Sequence, residues 1–503
     1  MSSSARTHHV TPLQRQSVAR TLRTPSWLKT EVLGALVVGL ALIPEAIAFS
    51  VIAGVDPQVG LFAAALMAMT LALVGGRPAM ISAATGATAL VMAPLVASHG
   101  VNYLIAAVIL AGVFQIVLGA VGFARIMRFV PRSVMVGFVN ALAILLFVPQ
   151  LQELINVPWA VYPVAAVALL IVFGLPRITT AVPAPLVVIL VLTPVVVLLG
   201  LNVPTVADKG KLPDSWPQLI APNVPYTLDT LQIIAPFALT MAVVGIMESL
   251  MTAKLVDDIT DTPSNKTRET WGQGVGNVVS GMFGTMGGCA MIGQTMINVR
   301  ASGARTRIST FLSGLFLLLL VVLLGEIVGI IPMAALAAVM IFVAWSTFDW
   351  HSIRPSTLRR MPLSETVVML VTVAVTVATH NLALGVAAGV LAAMIGFARR
   401  VAHVVTVERT VTPAPDDAAV ATYRVRGELF FASSNDLYTQ FRYAEDPATV
   451  VIDFSESHLW DASTVAAVDA VTDKYRAHGT TVKIQGLNLP SRRMRARLSG
   501  TLQ

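Results

Sequence analysis

Long apolar segments separated by short polar ones dominate the first four hundred residues of the chain. A helix that spans a membrane needs about 20 consecutive apolar residues. Such segments recur on both sides of a more polar stretch at 201–231. The pattern predicts fourteen spans, seven on each side of that stretch, at 31–52, 58–75, 82–97, 102–122, 133–150, 157–175, 180–200, 232–253, 269–285, 288–299, 306–325, 331–347, 364–379 and 381–398. The third and the tenth are too short to cross a bilayer as continuous helices.

Two glutamates interrupt this pattern in the middle of apolar segments. Glu45 lies between the uncharged runs 32–44 and 46–55, and Glu248 follows the uncharged run 230–247. An ionisable side chain at bilayer depth is costly, so it usually faces a cavity, a partner or a transported ion. Matching interruptions in the two halves of a chain are typical of the binding site of a transporter.

Composition separates the end of the chain from the rest. The whole chain is 55% hydrophobic and 12% charged, about half the usual charged share of a soluble protein. Residues 400 to 503, however, carry 24 charged side chains, against 37 in residues 1 to 399. We therefore predict a cytoplasmic N-terminal segment at 1–30, a first transmembrane repeat at 31–200, an extracellular or periplasmic loop at 201–231, a second transmembrane repeat at 232–400 and a soluble α/β domain at 401–503.

The distribution of basic residues predicts the orientation of the spans. If the N-terminus is cytoplasmic and every span crosses, 20 of the 22 basic residues before position 400 face the cytoplasm, and the exceptions are Lys209 and Lys211. Cytoplasmic loops are enriched in Lys and Arg. The pattern predicts a multi-pass protein of the cell (inner) membrane with both termini in the cytoplasm. The same rule explains the net charge of +7 without a nucleic-acid partner.

The third and tenth spans hold the candidate binding chemistry, because both open with small residues and hydroxyls. A helix that starts inside the membrane presents unpaired N–H groups and partial positive charge. Two such starts can bind an anion without a fixed cation, although small residues also serve close helix packing. The predicted substrate-binding residues are Glu45, Phe49, Thr85, Gly86, Ala87, Thr88, Glu248, Thr252, Cys289, Ala290, Met291, Gln294 and Thr295.

The two glutamates are also the candidates for ion coupling. An ionised carboxylate beside a bound anion is strongly unfavourable at low dielectric, so we expect it to be protonated or paired with a cation when substrate is bound. Glu45 follows Pro44, which frees a backbone carbonyl at mid-span, and is the predicted proton carrier. Glu248 and Thr252, one turn apart, could bind Na⁺, and a structural role for this pair is equally open.

Neither an enzyme nor a cofactor is predicted. The single cysteine, Cys289, excludes an internal disulfide, and the eight histidines show no spacing of metal ligands, so no metal site is predicted apart from the sodium alternative. The paired motifs of an ATP-driven pump are also missing from the sequence.

Four motifs make the chain resemble the sulfate-permease (SulP) family of anion transporters over about residues 30–503. They are Pro44-Glu45-x3-Phe49, Pro131-x2-Val134-x2-Gly137-Phe138, Gly245-x2-Glu248-Ser249-Leu250 and Asn298-x-Arg300-x2-Gly303-x-Arg305-Thr306. The resemblance implies a seven-plus-seven inverted repeat of core and gate domains, elevator-like alternating access, a homodimer and a cytoplasmic STAS domain. Many members place an arginine in the tenth span facing the anion, where this chain has Gln294 or Thr295.

The resemblance implies a small anion as substrate: a carboxylate or dicarboxylate, bicarbonate or sulfate. Together with the coupling argument, it favours proton-coupled symport. Three alternatives stay open at this point. They are a sodium-coupled bicarbonate symporter, a nucleobase–cation symporter of the same architecture, and a membrane-anchored signalling protein whose output is the STAS domain.

The segment after residue 400 predicts a small α/β domain. Its expected strands are 421–425, 449–454 and 481–485, and its expected helix is 463–477. The string Asp461-Ala462-Ser463 resembles the Asp-Ser-Ser of STAS domains in anti-sigma antagonists, where the last serine accepts a phosphate. Ser463 is therefore the regulatory candidate, and a helix N-cap is its alternative role.

Overall fold

The computed structural model describes residues 17–125, 130–178, 184–213, 215–402, 405–413, 419–434 and 437–499. Most of the predicted N-terminal segment and the predicted start of the seventh span at 180 lie outside these ranges. The chain forms two compact units, Met1–Val390 and Leu391–Gln503.

The first unit is built from helices. They are α1 (Val18–Arg23), α2 (Pro25–Ala53), α3 (Pro57–Val74), α4 (Gly86–His99), α5 (Val101–Ala120), α6 (Arg132–Gln152), α7 (Val161–Ile178), α8 (Ala184–Leu198), α9 (Leu228–Thr260), α10 (Lys266–Met282), α11 (Ile292–Met296), α12 (Arg307–Leu323), α13 (Gly325–Gly329), α14 (Met333–Thr347), α15 (Pro355–Arg360), α16 (Leu363–Thr379) and α17 (Leu382–Ala402), which begins in this unit and ends in the second. Two short strands, β1 (Ser82–Ala83) and β2 (Cys289–Ala290), precede α4 and α11, and a π-helical turn, Ile297–Ala301, continues α11.

Each predicted span coincides with one of these helices: α2 to α12, α14, α16 and α17. Within the described residues, seven helices are long and apolar enough to cross a membrane, and five more are shorter apolar helices. The chain is thus an α-helical membrane protein, as the apolar pattern predicts. The helices α4 and α11, from the third and tenth spans, begin several residues later than predicted because a β-strand precedes each.

The helices pack as two groups. In the first, α2 and α3 contact α12, α5 contacts α9 and α10, and both α4 and α11 contact α2 and α9. In the second, α6 contacts α14 and α16, while α7 contacts α8 and α14. These groups correspond to the core and gate domains that the family resemblance implies, and we use those two names below.

Small residues allow the closest approach inside the core. A Cβ atom added at Gly274 of α10 would lie 2.5 Å from the backbone oxygen of Gly112 in α5. Any larger side chain at either position would force these helices apart, which is the usual reason for glycine in packed membrane helices.

Buried carboxylates hold the ends of core elements. Glu31 of α2 accepts hydrogen bonds from the backbone N–H groups of Arg305, Thr306 and Ser309 at the start of α12, at 2.7 to 3.0 Å. Glu269 of α10 accepts from the N–H of Gly76 at 2.7 Å. These glutamates serve backbone N–H groups that have no helical partner, and their position near helix ends distinguishes them from Glu45 and Glu248.

The second unit contains a four-stranded sheet. Its strands are β3 (Thr406–Thr412), β4 (Val420–Leu429), β5 (Thr449–Leu459) and β6 (Thr481–Gln485), in the order β3-β4-β5-β6, and its helices are α18 (Phe431–Ser434), α19 (Ala462–Ala477) and α20 (Leu489–Leu498). The β3–β4 pair is antiparallel and the other two pairs are parallel. The sequence pattern predicted β4, β5, β6 and α19 and missed β3, whose side chains are mostly exposed.

The N-cap of α19 is Asp461, which accepts a hydrogen bond from the N–H of Thr464 at 3.0 Å. Its other carboxylate oxygen accepts from the N–H of Phe431 at 2.6 Å. Ser463 lies inside the first turn and is exposed. The expectation that Ser463 caps this helix is therefore wrong, because the longer acid two residues earlier already serves the free N–H groups. Its role as a phosphate acceptor stays a prediction.

Candidate substrate-binding site

The third and tenth spans meet at a crossing formed by β1 and β2. The two strands are antiparallel, with Ser82 opposite Ala290 and Ala83 opposite Cys289. Helix α4 starts three residues after β1, and α11 starts two residues after β2. The structure therefore brings together the two helix starts that the sequence singled out.

Polar side chains of neighbouring helices hold this crossing in place. The Asn277 amide of α10 donates to the backbone oxygen of Gly288 at 3.0 Å and to Gln115 Oε1 at 2.8 Å, and it accepts from the Gly288 N–H at 2.8 Å. Ser249 Oγ accepts from the Ala290 N–H at 3.1 Å. Gln273 Nε2 donates to Ser82 Oγ at 2.7 Å. The segment before α11 is thus held through its backbone, and the strand before α4 is held through the Ser82 side chain.

The sequence analysis did not single out Gln115, Gln273 or Asn277. A signal was present, because Gln273, Asn277 and Ser280 recur at helical spacing in α10 and are all buried. A polar stripe of this kind inside a membrane helix indicates a polar partner elsewhere in the bundle.

A cavity of about 280 Å³ lies beside the helix starts. Seven of the predicted substrate-binding residues line it: Glu45, Phe49, Thr85, Gly86, Glu248, Met291 and Gln294. The other six are buried but do not line it: Ala87, Thr88, Thr252, Cys289, Ala290 and Thr295. The gate contributes apolar walls that the sequence analysis missed, including Phe138, Leu142 and Leu146 of α6 and Phe342 and Val343 of α14.

Glu45 faces this cavity from the second half of α2, directly after Pro44. One of its carboxylate oxygens, Oε1, accepts a hydrogen bond from Gln294 Nε2 at 2.8 Å. Phe49, one turn further along the helix, lines the same cavity. The first-span glutamate and the tenth-span helix start are therefore in direct contact.

Glu248 has a different partner. Its Oε2 accepts a hydrogen bond from the thiol of Cys289 at 2.9 Å, and the same sulfur lies 3.1 Å from Thr85 Oγ1. The hydroxyl of Thr252 donates to the backbone oxygen of Glu248 at 2.8 Å. The Thr252 proton is thus used inside its own helix, and the sodium role of this pair stays a prediction.

The charge of the site comes from acids and helix ends. Glu45 and Glu248 are the ionisable side chains among the described residues that line the cavity, and no Lys, Arg or His is found there. Arg77, the basic residue between α3 and β1, pairs with Asp257 at 3.0 Å. Favourable potential for an anion must therefore come from N–H groups at the helix starts and from neutral donors.

Comparison with family models and known proteins agrees with this architecture. The model of the sulfate permease family matches residues 28–161 and 155–372, and that of the STAS domain matches residues 411–501. A Bacillus subtilis protein named "Putative sulfate transporter YbaR" is 48% identical, covering 92% of this chain and 96% of that protein. The bicarbonate transporter BicA of Picosynechococcus is 26% identical, covering 89% and 88%.

Solved structures show the same fold. The transmembrane domain of a cyanobacterial bicarbonate transporter BicA matches with a TM-score of 0.63 and 25% identity, over 73% of this chain and 97% of that one. The murine Slc26a9 anion transporter in its inward-facing state matches with a TM-score of 0.80 and 15% identity, over 95% and 89%, which supports the fold alone. The chain belongs to the sulfate permease family, and it is an anion transporter with a C-terminal STAS domain rather than an enzyme.

Proposed function

We propose that this protein is a secondary active transporter that carries a small anion together with a proton. One observation carries the proposal: Glu45 and Glu248 line a cavity of about 280 Å³ beside two helix starts, without a basic side chain among its described walls. An anion and two ionised carboxylates in such a space repel each other strongly. Proton uptake removes one negative charge before the anion enters, which makes binding of the two ions cooperative.

Glu45 is the proposed proton carrier. It contacts Gln294 of the tenth-span helix start directly, so a change in its charge acts where the anion binds. Glu248 is instead bonded to the Cys289 thiol behind the cavity wall. We propose that it supplies either a structural acceptor or a second ion site, and Na⁺ at Glu248 and Thr252 is the alternative to proton coupling.

The cavity walls favour an anion with a hydrocarbon part. Phe49, Phe138, Leu142, Leu146 and Phe342 supply apolar surface, which stabilises a carbon chain but does not replace the hydration of an inorganic anion. We therefore propose a carboxylate or dicarboxylate as substrate. Bicarbonate and sulfate are the competitors, since relatives are named after them.

The proposed transport cycle is elevator-like alternating access. Both helix starts, Glu45 and Glu248 belong to the core, whereas Phe138 and Phe342 belong to the gate. Movement of the core would carry the site past a fixed apolar wall. The paired strand-and-helix units β1–α4 and β2–α11 support the proposed inverted repeat.

We also propose a homodimer in the cell (inner) membrane with both termini in the cytoplasm. The distribution of basic loops supports this orientation, and the dimer rests on the family resemblance. The proposed domain boundaries are those of the sequence analysis.

The test is uptake by proteoliposomes that contain the purified protein. Radiolabelled succinate, bicarbonate, sulfate and uracil are offered under an imposed proton or sodium gradient. We expect accumulation of an anion, succinate first, under the proton gradient. Accumulation driven by sodium alone, or of uracil alone, would contradict the proposal.

Two variants assign the carboxylate within the same assay. Glu45→Gln removes the negative charge permanently and should keep anion exchange but lose accumulation driven by the proton gradient. Glu248→Gln is the matched control at the second site. If Glu45→Gln still concentrates the anion while Glu248→Gln does not, the proton carrier is Glu248. Deletion of residues 403–503 should leave measurable transport, whereas a signalling protein would show none in either form.

A further inference from the structure

Only one end of the Gln294 side-chain amide makes a hydrogen bond. Its Nε2 donates to Glu45 Oε1 at 2.8 Å, while its Oε1 is buried and has no hydrogen-bond partner among the described residues. The side chain is 2% exposed and lines the cavity. A buried amide oxygen without a partner is costly, so this atom indicates a second arrangement in which it is used.

That arrangement follows from the chemistry of the pair. An ionised carboxylate only accepts hydrogen bonds, whereas a protonated one also donates through its O–H. The two ends of an amide have nearly the same shape, so a half-turn about the last side-chain bond exchanges donor and acceptor without changing the packing. Protonation of Glu45 therefore reverses which end of Gln294 it prefers.

We propose that Gln294 is a proton-controlled anion switch, in which protonated Glu45 binds the amide oxygen and releases the amide N–H₂ to the anion. The inference rests on the proposed function, in which Glu45 carries the proton and the anion occupies this cavity. It adds a specificity-determining residue and the way in which the proton is sensed.

The step is a proton transfer followed by a rotation. Hydronium in the cavity gives its proton to the Glu45 carboxylate and leaves as water. The new O–H donates to Gln294 Oε1, and the two N–H bonds of Nε2 turn toward the anion. On the other side of the membrane the proton returns to water, the carboxylate takes the amide N–H back, and the amide oxygen turns toward the anion and repels it.

The other charged groups near the switch are accounted for. Glu248 of α9 is the second ionisable group of the cavity, and it is bonded to Cys289 of β2. The described walls from α4, α6 and α14 carry no ionisable side chain. On α2, Glu31 caps α12 at the far end of the helix. The Glu248→Gln variant therefore serves as a control. It separates a pH dependence of anion affinity that acts through Glu45 and Gln294 from one that acts through Glu248.

The experiment measures equilibrium binding of radiolabelled succinate, with sulfate as a second probe, to purified full-length protein across a range of pH. The wild-type affinity should fall about tenfold per pH unit once Glu45 ionises, because one proton binds with each anion. Glu45→Gln should bind with the wild-type low-pH affinity at every pH, because its amide N–H₂ can donate to Gln294 Oε1 as the protonated acid does.

Two substitutions of Gln294 isolate the switch. Gln294→Met keeps the length but removes both amide ends, so it should lose at least tenfold in affinity at low pH, approach wild type at high pH, and show a shallower slope. Gln294→Arg donates permanently, so its affinity should be high and nearly constant with pH. Both variants are measured only as monodisperse protein. If Gln294→Met does not fold, the pH profile of Gln294→Arg is used alone to test the switch.

The outcomes separate the two proposals. A wild-type affinity that does not change with pH, or a full slope in Glu45→Gln, overturns Glu45 as proton carrier. A normal wild-type slope and a flat Glu45→Gln profile, combined with a full wild-type slope in Gln294→Met or Gln294→Arg, overturns the switch alone.

Discussion

At the scale of single residues, position in the apolar pattern was enough to find the two central acids. Glu45 and Glu248 were predicted because a charge at mid-span is costly, and both line the cavity. Their partners could not be predicted, since Gln294 and Cys289 lie more than two hundred and about forty positions away. Whether Gln294 or Cys289 contacts a given glutamate depends on how the spans cross. That crossing cannot be predicted from a single sequence.

Gly293 offers a clean test of the helix starts. It lines the cavity, and outside its own turn of helix no described heavy atom lies within 4 Å of the place where its Cβ would stand. Gly293→Asp puts a fixed negative charge at the start of α11 and should weaken anion binding about tenfold or more. Gly293→Asn has the same shape without the charge and should stay within about threefold of wild type. Equilibrium binding of succinate at low pH measures both.

If the aspartate and asparagine variants bound succinate with equal affinity, the anion would not bind at this helix start. The corresponding change at Gly86 is less informative, because a Cβ there would meet Leu146 and lie 3.1 Å from Phe49. Ala290→Asp is also unsuitable, since Ala290 is fully buried in the β1–β2 pair. Steric and electrostatic effects would be mixed at both positions.

At the scale of elements, the site is a crossing of two strands that a polar helix supports. The length of the third and tenth spans predicted that each holds only a short helix, and in the structure α4 and α11 each begin after a short strand. The hydrogen bonds from α10 to this crossing were not predicted, because Asn277 looks like any amide in a moderately polar span. Its role in holding the crossing is evident only from the structure, in which it hydrogen-bonds the backbone of Gly288.

Asn277→Ala should destabilise the crossing. It leaves the N–H and oxygen of Gly288 and the Oε1 of Gln115 without their partner, and each unsatisfied buried group costs about 1–3 kcal/mol. We expect a fall of several degrees in the apparent melting temperature and weaker succinate binding. Thr379→Ala, which removes an exposed hydroxyl at the end of α16, is the matched control.

Thermal unfolding in detergent, followed by intrinsic fluorescence, provides the measurement. A melting temperature equal to that of the Thr379→Ala variant would show that Asn277 does not support the crossing.

At the scale of the whole molecule, apolar length and basic loops predicted fourteen membrane helices, because the bilayer imposes its thickness on the sequence. The α/β domain was predicted from the charged composition after residue 400 and from its strand and helix pattern. The division into core and gate came only from the family resemblance. Which helices pack together depends on close contacts such as that of Gly112 with Gly274 inside the core. Glycines occur in many spans, and the sequence does not indicate which span each one contacts. Strand β3 was missed for a related reason, since an exposed strand lacks an apolar pattern.

The two groups of helices border a second cavity, of about 320 Å³, which offers a test of their relative motion. Ile52 of α2 lines it from the core and Leu336 of α14 from the gate. Cysteines at these two positions, bridged through two disulfide bonds by a short bis-methanethiosulfonate reagent, should block succinate uptake by more than about tenfold if the core moves as a body. The native Cys289 is buried and remains as background.

The matched control bridges two core elements. Asp257 of α9 and Lys266 of α10 form a partly exposed ion pair at 2.6 Å, so cysteines at these positions are within reach of the same reagent. Because both lie in the core, bridging them should leave uptake within about twofold of the unbridged double variant, and reduction should restore the Ile52–Leu336 variant. Equal inhibition by the two bridges would contradict rigid-body movement of the core against the gate, since loss of internal flexibility would then be sufficient to stop transport.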